Sequence, residues 1–341
     1  MNISETIRDK KVLVTGGTGT VGKKLAQRLL ELEAAVVRIY SRDEHKQFTI
    51  QEHFAYHGLD MKRMRFFLGD VRDKERLKRS MEDIDIVFHL AALKHVPACE
   101  YNPSEAVKTN VMGTQNVIEC AMETGVSAVV YTSTDKAASP TNTMGASKLL
   151  AERLISSADH WKGPRQIKFL SVRFGNIINS RGSVVPLFEK QIARGGPVTV
   201  TDPDMTRFFM SADRAVDLIL ESLAMSRGGE TFVFKMPVLR IGDLARAVLE
   251  NSGKDVEMSI IGLRPGEKMY EELMSEEESA RALETDKIFL ILPYDYDRRQ
   301  YQERYANTRL PEIGTYSSTG AGLMRLADIK AMLNGNSAAE L

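Results

Sequence analysis

Between Lys11 and Leu30 the chain passes from an apolar strand into an amphipathic helix through a turn of glycines, and few folds accept that order. Lys11-Val12-Leu13-Val14-Thr15 is the β run. Gly16-Gly17-Thr18-Gly19-Thr20-Val21-Gly22 follows, and Leu25, Leu29 and Leu30 then recur at helical spacing. The GxxGxxG spacing gives each glycine a task. Gly16 makes the tight turn, Gly19 lets backbone approach a pyrophosphate, and Gly22 lets the helix pack closely on the strand. A glycine triplet alone is a weak signal. Between a strand and a helix, at the head of an alternating β/α pattern, it is a specific one. Thr18, Thr20 and Val21 are expected beside the same phosphates.

The alternation continues through apolar runs at Ala35–Tyr40, Phe66–Leu68, Asp85–Leu90, Ala128–Tyr131 and Phe169–Arg173. A helix over about 103–123 carries Asn110. This pattern predicts an α/β fold, a Rossmann-type doubly wound parallel sheet with ligands at the carboxyl ends of its strands. The second strand ends in Ser41-Arg42-Asp43, with Lys46 one turn later. A hydroxyl and two cations suit a 2′-phosphate, so NADP is expected over NAD. The competing reading makes Asp43 the ribose ligand at a solvated helix start. Asp70, followed by Val71, either accepts from an adenine amino group or caps the next helix. Ala91 and Ala92 are small enough to lie against a dinucleotide, with Lys94 at the same rim. Asn110 and Ile177 complete the expected cofactor set.

The fifth strand delivers Thr132-Ser133-Thr134-Asp135-Lys136, and a helix starting near Asn142 carries Met144 and Lys148 away. Hydroxyls, a carboxylate and an ammonium therefore meet at the carboxyl end of a buried strand. Asp135 and Lys136 form an acid/base pair in one dipeptide, and Lys148 should point back toward a bound cofactor.

At 341 residues the chain can build a large α/β domain and a smaller partner. The expected division is 1–175 for the cofactor domain carrying the catalytic residues, with parts of 176–275 free to return to it. A smaller α/β substrate-binding domain takes 176–275, including a helix at Met269–Met274. An extension at 276–341 contains Tyr294, Tyr296, Tyr301 and Tyr305, ends in a helix near Leu323–Leu333, and is expected against a neighbouring subunit or domain. Lys plus Arg (46) equals Asp plus Glu (46), which leaves no electrostatic footprint for nucleic acid or an anionic membrane. Cys99 and Cys120 stand in no CxxC or Cys/His spacing, so neither a disulfide framework nor a metal site is expected. No apolar run approaches the roughly 20 residues of a membrane span. The polar segment Met1–Lys11 lacks a signal-peptide core, so the expected location is cytoplasmic.

Several segments together resemble the extended short-chain dehydrogenases/reductases that act on nucleotide sugars, and within them the polysaccharide-biosynthesis group of UDP-N-acetylglucosamine 4,6-dehydratases. They are TGGTGTVG at 15–22, YSRDEHKQ at 40–47, GDVRD at 69–73, AALKHVP at 91–97, EAVKTN at 105–110, STDKA at 133–137, MGASK at 144–148, RFGN at 173–176, SRGSVVPLF at 180–188, TDPDMTRFFMS at 201–211 and RPGEK at 264–268. STDKA followed by GASK, with MTRF and RPGEK downstream, is far more specific than the glycines. The wider superfamily pairs Tyr-x-x-x-Lys; here Met144 occupies the tyrosine slot before Lys148, and a thioether takes no proton from a hydroxyl. That weakens a simple 4-epimerase, which relies on the tyrosine.

The resemblance implies an internal redox cycle giving a 4-keto-6-deoxy sugar, 5-inverting in the inverting branch. In it Lys136 would deprotonate C5 and Asp135 would protonate the departing hydroxyl. Thr134 would bond O4, and Asp135 or a water-linked Lys148 would take the O4 proton. Ser133, Asn176, Val185, Thr199, Arg207, Arg264 and Glu267 are the implied UDP-sugar contacts, the two arginines at the diphosphate and ribose. A homo-oligomer, dimer or hexamer, is implied. A C5-retaining dehydratase, a UDP-sugar 4-epimerase and a non-catalytic NADP-binding protein are the alternatives; the intact Asp135-Lys136 pair argues against the last.

Overall fold

The computed structural model describes residues 3–263, 266–294, 302–305, 307–319 and 322–335. Its strands are β1 Lys11–Thr15, β2 Val36–Ser41, β3 Met64–Leu68, β4 Ile86–His89, β5 Ala128–Thr132, β6 Lys168–Arg173, β7 Asn176–Ile177 and β8 Val198–Val200. They continue with β9 Thr206–Met210, β10 Thr231–Phe234, β11 Val238–Arg240, β12 Met258–Ile260, β13 Glu272–Met274, β14 Ala282–Glu284, β15 Ile288–Ile291 and β16 Tyr316–Ser317. Nine of them form one sheet in the order β3-β2-β1-β4-β5-β6-β10-β15-β14. From β3 to β10 every pairing is parallel. The order reverses at β1/β4, and such a switch point opens a crevice at the strands' carboxyl ends.

Strands covered on both faces read as continuous apolar runs, and β5 is buried along its whole length. Leu25, Ala26 and Leu29 of the helix Thr20–Glu31 pack on one face, with the helix Ala212–Met225 beside them. Leu77, Val117 and Ile155, from three other helices, cover the opposite face.

The smaller lobe holds the three-stranded sheet β11-β9-β7 and the pair β12-β8. Its core joins Val185, Phe188, Phe209, Leu244 and Ile329.

Parts of 176–275 return to the large lobe, and the segment after 275 packs on both lobes. Helix Ala212–Met225 and β10 belong to the large sheet, and β14 and β15 extend its edge as an antiparallel pair. The tail is shared out rather than set aside. Its hairpin joins the sheet, β16 pairs with β13, and the helix Leu326–Leu333 seals the small lobe's core. Tyr305 donates to Glu230 within the chain at 2.5 Å; Tyr296 and Tyr301 lie outside the described residues. The helix expected at Met269–Met274 is instead irregular chain leading into β13, because a short apolar run takes its state from its neighbours, here β16. The helix over 103–123 is present, with one wide π turn at Val107–Met112 around Asn110.

Arg173 ties the segment around β13 to the helix Thr143–Trp161. It is 1% exposed, and its guanidinium forks onto Glu152 of the helix Thr143–Trp161 and onto Glu278, while donating to the Leu273 carbonyl at 3.0 Å. Glu278 also closes a capping box with Ser275.

Candidate active site

A cleft of about 740 Å³ opens at the carboxyl edge of the sheet and runs from the glycine turn to the Ser180–Ser183 loop. Gly16 has φ +67°, and a Cβ there would lie 2.7 Å from the Ala91 nitrogen. A Cβ on Gly22 would lie 2.7 Å from the Gly16 carbonyl. Both glycines are therefore fixed by close approach. Gly19 precedes the helix Thr20–Glu31 and no side chain caps that helix start, which faces the cleft through Thr20 and Val21. Uncapped N–H groups at a cleft suit an anion.

At the end of β2, the Thr18 and Ser41 hydroxyls are 3.2 Å apart. Asp43 caps the next helix through the Lys46 nitrogen at 3.0 Å, and its carboxylate pairs with the Lys46 ammonium at 2.5 Å. Arg42 reaches Asp70 at 3.5 Å, and Asp70 is held more closely by Arg72 at 2.7 Å. Burial works to raise the Asp70 pKa, but Arg72 and Arg42 outweigh it and hold the carboxyl below its usual range. Ser41, Arg42, Lys46, Asp70, Val71, Ala91, Ala92, Lys94 and Ile177 all line the cleft. Lys94 donates to the Arg181 carbonyl at 2.8 Å, and Arg181 reaches back to Thr18 and Thr20 of the glycine turn.

Asn110 is 1% exposed and is not part of the cleft wall. Its carboxamide accepts from the Leu93 nitrogen at 2.8 Å and donates to the Leu93 carbonyl and the Ser147 hydroxyl. It braces the loop holding Ala91 and Ala92 against the helix holding Lys148. It stands behind the cleft wall, next to Leu93, which lines it.

Ser133, Thr134, Lys136, Met144, Lys148 and Asn176 line the cleft, whereas Asp135 sits behind that surface, 2% exposed. Asp135 Oδ1 accepts from the Thr134 hydroxyl at 2.7 Å, the Lys136 nitrogen at 2.9 Å and the Lys136 ammonium at 3.1 Å. Its Oδ2 is buried with no hydrogen-bond partner. Glu271 approaches the ammonium from the other side, Oε1 to Nζ 3.1 Å. Burial works to lower the Lys136 pKa, but Asp135 and then Glu271 outweigh it, so the group is pushed up and rests as an ammonium. Burial pushes the Glu271 carboxyl up, against the pull of Lys136.

Glu271 went unseen in the sequence, where only an acidic doublet after RPGEK marks it. Ser318, from the far end of the chain, holds its backbone. The Glu271 nitrogen donates to the Ser318 hydroxyl at 3.0 Å, and the Ser318 nitrogen donates to the Glu271 carbonyl at 2.9 Å.

Lys148 is buried, donates to the Thr132 carbonyl at 2.5 Å and lies 4.2 Å over the Tyr131 ring. Burial pushes its amine down to about 7, with Glu152 opposing. Met144, 4% exposed, packs with Cys99 and Ala106.

The implied sugar-nucleotide residues are less uniform. Arg207 is 8% exposed, donates to the carbonyls of Thr206 (2.8 Å) and Lys268 (2.7 Å), and lies 3.7 Å from Glu271. Its guanidinium is thus engaged by two backbone carbonyls and stands beside the carboxylate that faces Lys136. Val185 is core, and Thr199 bonds Gln191 within the small lobe. Glu267 is not part of the wall, and Arg264 lies outside the described residues.

The switch-point crevice, the glycine turn and the strand-end Thr134-Asp135-Lys136 constellation define a class, the extended short-chain dehydrogenase/reductase fold of nucleotide-sugar dehydratases and epimerases. A family described as "Polysaccharide biosynthesis protein" matches residues 12–293, and the chain belongs to it. An uncharacterized membrane protein of Methanocaldococcus jannaschii is 50% identical over 315 residues, covering 90% of this chain and 93% of that one. Among the described residues here, no helix is long and apolar enough to cross a membrane. A UDP-N-acetylglucosamine 4,6-dehydratase (inverting) of Campylobacter jejuni is 44% identical over 286 residues, 83% of each chain. A UDP-glucose 4-epimerase of Rickettsia prowazekii is 38% identical over 331 residues, 95% of each. Among solved structures, Pen from Bacillus thuringiensis superposes with a TM-score of 0.89 at 44% identity, covering 97% of this chain and 98% of that one.

Proposed function

We propose that this protein is an NADP-dependent UDP-N-acetylglucosamine 4,6-dehydratase of the 5-inverting kind. The observation that carries the reading is Lys136, an amine on the cleft wall held between two carboxylates. Exchanging the C4 configuration needs proton traffic only at O4. Eliminating water from C5–C6 needs a base at C5 as well, and Lys136 is placed to be one. Met144 in the tyrosine slot fits the same reading, as does the relative of C. jejuni.

The uncapped helix start at Gly19, with Ser41, Arg42 and Lys46 on the wall, fits a dinucleotide carrying a 2′-phosphate. Asp43 is committed to a helix cap and to Lys46. A nicotinamide held there would supply the redox chemistry, a hydride taken from C4 of the sugar and returned at C6. Thr134 reaches O4 from the wall and passes its proton to Asp135, which stands behind it at 2.7 Å. Asp135, so protonated, supplies the proton that leaves with O6 as water. Lys136 removes the proton from C5, made acidic by the C4 ketone. Lys148 bonds the nicotinamide ribose. Asn176, on the small-lobe side of the wall, lies where the diphosphate would run.

Proton NMR of UDP-N-acetylglucosamine incubated with the enzyme in deuterated water tests this reading. A C6 methyl, deuterium at C5 and inverted C5 configuration are the expected outcome. A 4-epimer with C6 unchanged would replace the dehydratase reading with the epimerase one. The cofactor is tested separately, by denaturing the purified protein and identifying the dinucleotide released; NAD alone would sink the 2′-phosphate argument. Arg42→Ala should weaken NADP relative to NAD by about 1.5–3 kcal/mol, the range for hydrogen bonds to a charged group.

A further inference from the structure

Lys136 cannot act as a base while it is an ammonium, and its surroundings keep it one. Its proton must first move to an acceptor within the site. The groups facing the amine are few: Asp135 beside it, Glu271 across from it and Arg207 of β9 behind Glu271. Glu272 is turned away onto the Ser139 hydroxyl, and Lys268 onto the Ser139 carbonyl at 2.6 Å. Asp135 Oδ1 already accepts from three donors, and in the proposed function Asp135 takes the O4 proton. The other atom in hydrogen-bond reach of Nζ is Glu271 Oε1, at 3.1 Å.

We propose that Glu271 is a positioning residue that takes the spare proton from Lys136 and so frees its amine to deprotonate C5. This rests on the dehydratase reading above. Glu271 is suited to the task because it is 5% exposed, its backbone is fixed by Ser318, and burial makes a proton easier to hold there. The protons balance. The O4 proton moves through Thr134 to Asp135. Lys136 gives its own to Glu271 and becomes a neutral amine. The C5–H bond breaks, its proton goes to Lys136, and its electron pair forms the C4–C5 enolate. The enolate expels O6, which leaves as water with the proton from Asp135. The Lys136–Glu271 pair then holds one proton more than at rest, the proton that reprotonation of C5 uses up.

Glu271→Gln, close in size and unable to accept that proton, isolates the step. On mixing with UDP-N-acetylglucosamine the variant should still reduce its bound cofactor, seen in the near ultraviolet. Exchange of C5 into deuterated water should fall by about 10²-fold or more, the range for a placed proton-transfer group. KM for the UDP-sugar should change little, and C5 exchange should recover at alkaline pH, where bulk base can unload Lys136. Glu271→Asp keeps a carboxylate and should restore part of the loss. It is also the variant to use if the glutamine form fails to fold. Exchange at C5 near the wild-type rate in Glu271→Gln would overturn the proposal. So would an equal fall of cofactor reduction and C5 exchange in a variant with normal melting temperature and cofactor content, since that is how a scaffold residue behaves. The wild type separates the two readings. If it makes no C6 methyl, the dehydratase reading fails and takes this one with it. If it makes the methyl and Glu271→Gln exchanges C5 freely, only the assignment of Glu271 fails.

Discussion

Lys136→Ala should oxidise its sugar at C4 and stop there. The variant keeps Thr134 on the cleft wall with Asp135 behind it, which is what the O4 proton needs, and loses the amine that C5 needs. Reduced cofactor should build up on the enzyme and no C6 methyl should form. The fall in turnover should be about 10²–10⁴, the usual worth of a placed proton-transfer group. Met144→Ala is the contrast. Met144 packs with Cys99 and Ala106 and transfers no proton, so its loss should cost stability, about 2 kcal/mol at the low end for a buried methionine, while turnover stays within a few-fold. Single-turnover absorbance and product NMR on both variants decide the matter. Near-normal turnover in Lys136→Ala, or a Met144→Ala variant as inactive as Lys136→Ala, would remove the assignment of roles.

Arg173→Met should be the most destabilising single change among those considered. The guanidinium is 1% exposed and is the shared cation of Glu152 and Glu278. Removing it strands two buried carboxylates, and breaking a buried pair in this way costs about 3–5 kcal/mol. Arg173→Lys should recover little, because a single ammonium cannot supply the forked donors that both acids use. The pH dependence has a definite sign. Burial works to raise the Glu278 pKa, but Arg173 outweighs it and the folded value is depressed. The stability this gives is therefore present above the unfolded carboxyl pKa, about 4.3, and is lost as pH falls through the folded value. Chemical unfolding of wild type and variant at pH 7 and near pH 3 should show their difference narrowing in acid. A variant within 1 kcal/mol of wild type at pH 7 would show the cluster to be dispensable.

The parallel half of the sheet was legible because its strands are covered on both faces and so read as unbroken apolar runs. Val12-Leu13-Val14 and Ala128-Val129-Val130-Tyr131 are the clearest. The glycine turn and Thr134-Asp135-Lys136 were legible because each is contiguous. What the chain assembles from afar was not. Glu271 meets Lys136 only after β13 is drawn against the turn that follows β5, and nothing local marks one glutamate of a doublet as buried. The bonds that Arg207 and Asn110 make to their own chain were not legible either. A buried polar side chain must find partners, and sequence does not say whether a ligand or the backbone supplies them. The hairpin β14-β15 was missed for a related reason. Ile288–Ile291 is visibly apolar, but its partner β10 comes from a part of the chain assigned to the other domain.

Ser318 has a consequence for anyone who would transplant parts between relatives. The family match ends at residue 293, so the tail looks like a detachable module. Yet Ser318 clasps the backbone of Glu271 with two hydrogen bonds and meets the Thr206 hydroxyl at 2.9 Å. A graft that keeps residues 12–293 of one protein and borrows the tail of another would therefore reset the seat of the carboxylate facing the Lys136 amine. Two relatives alike through residue 293 can be unequal catalysts, and a chimera that folds well and turns over poorly is the signature to look for.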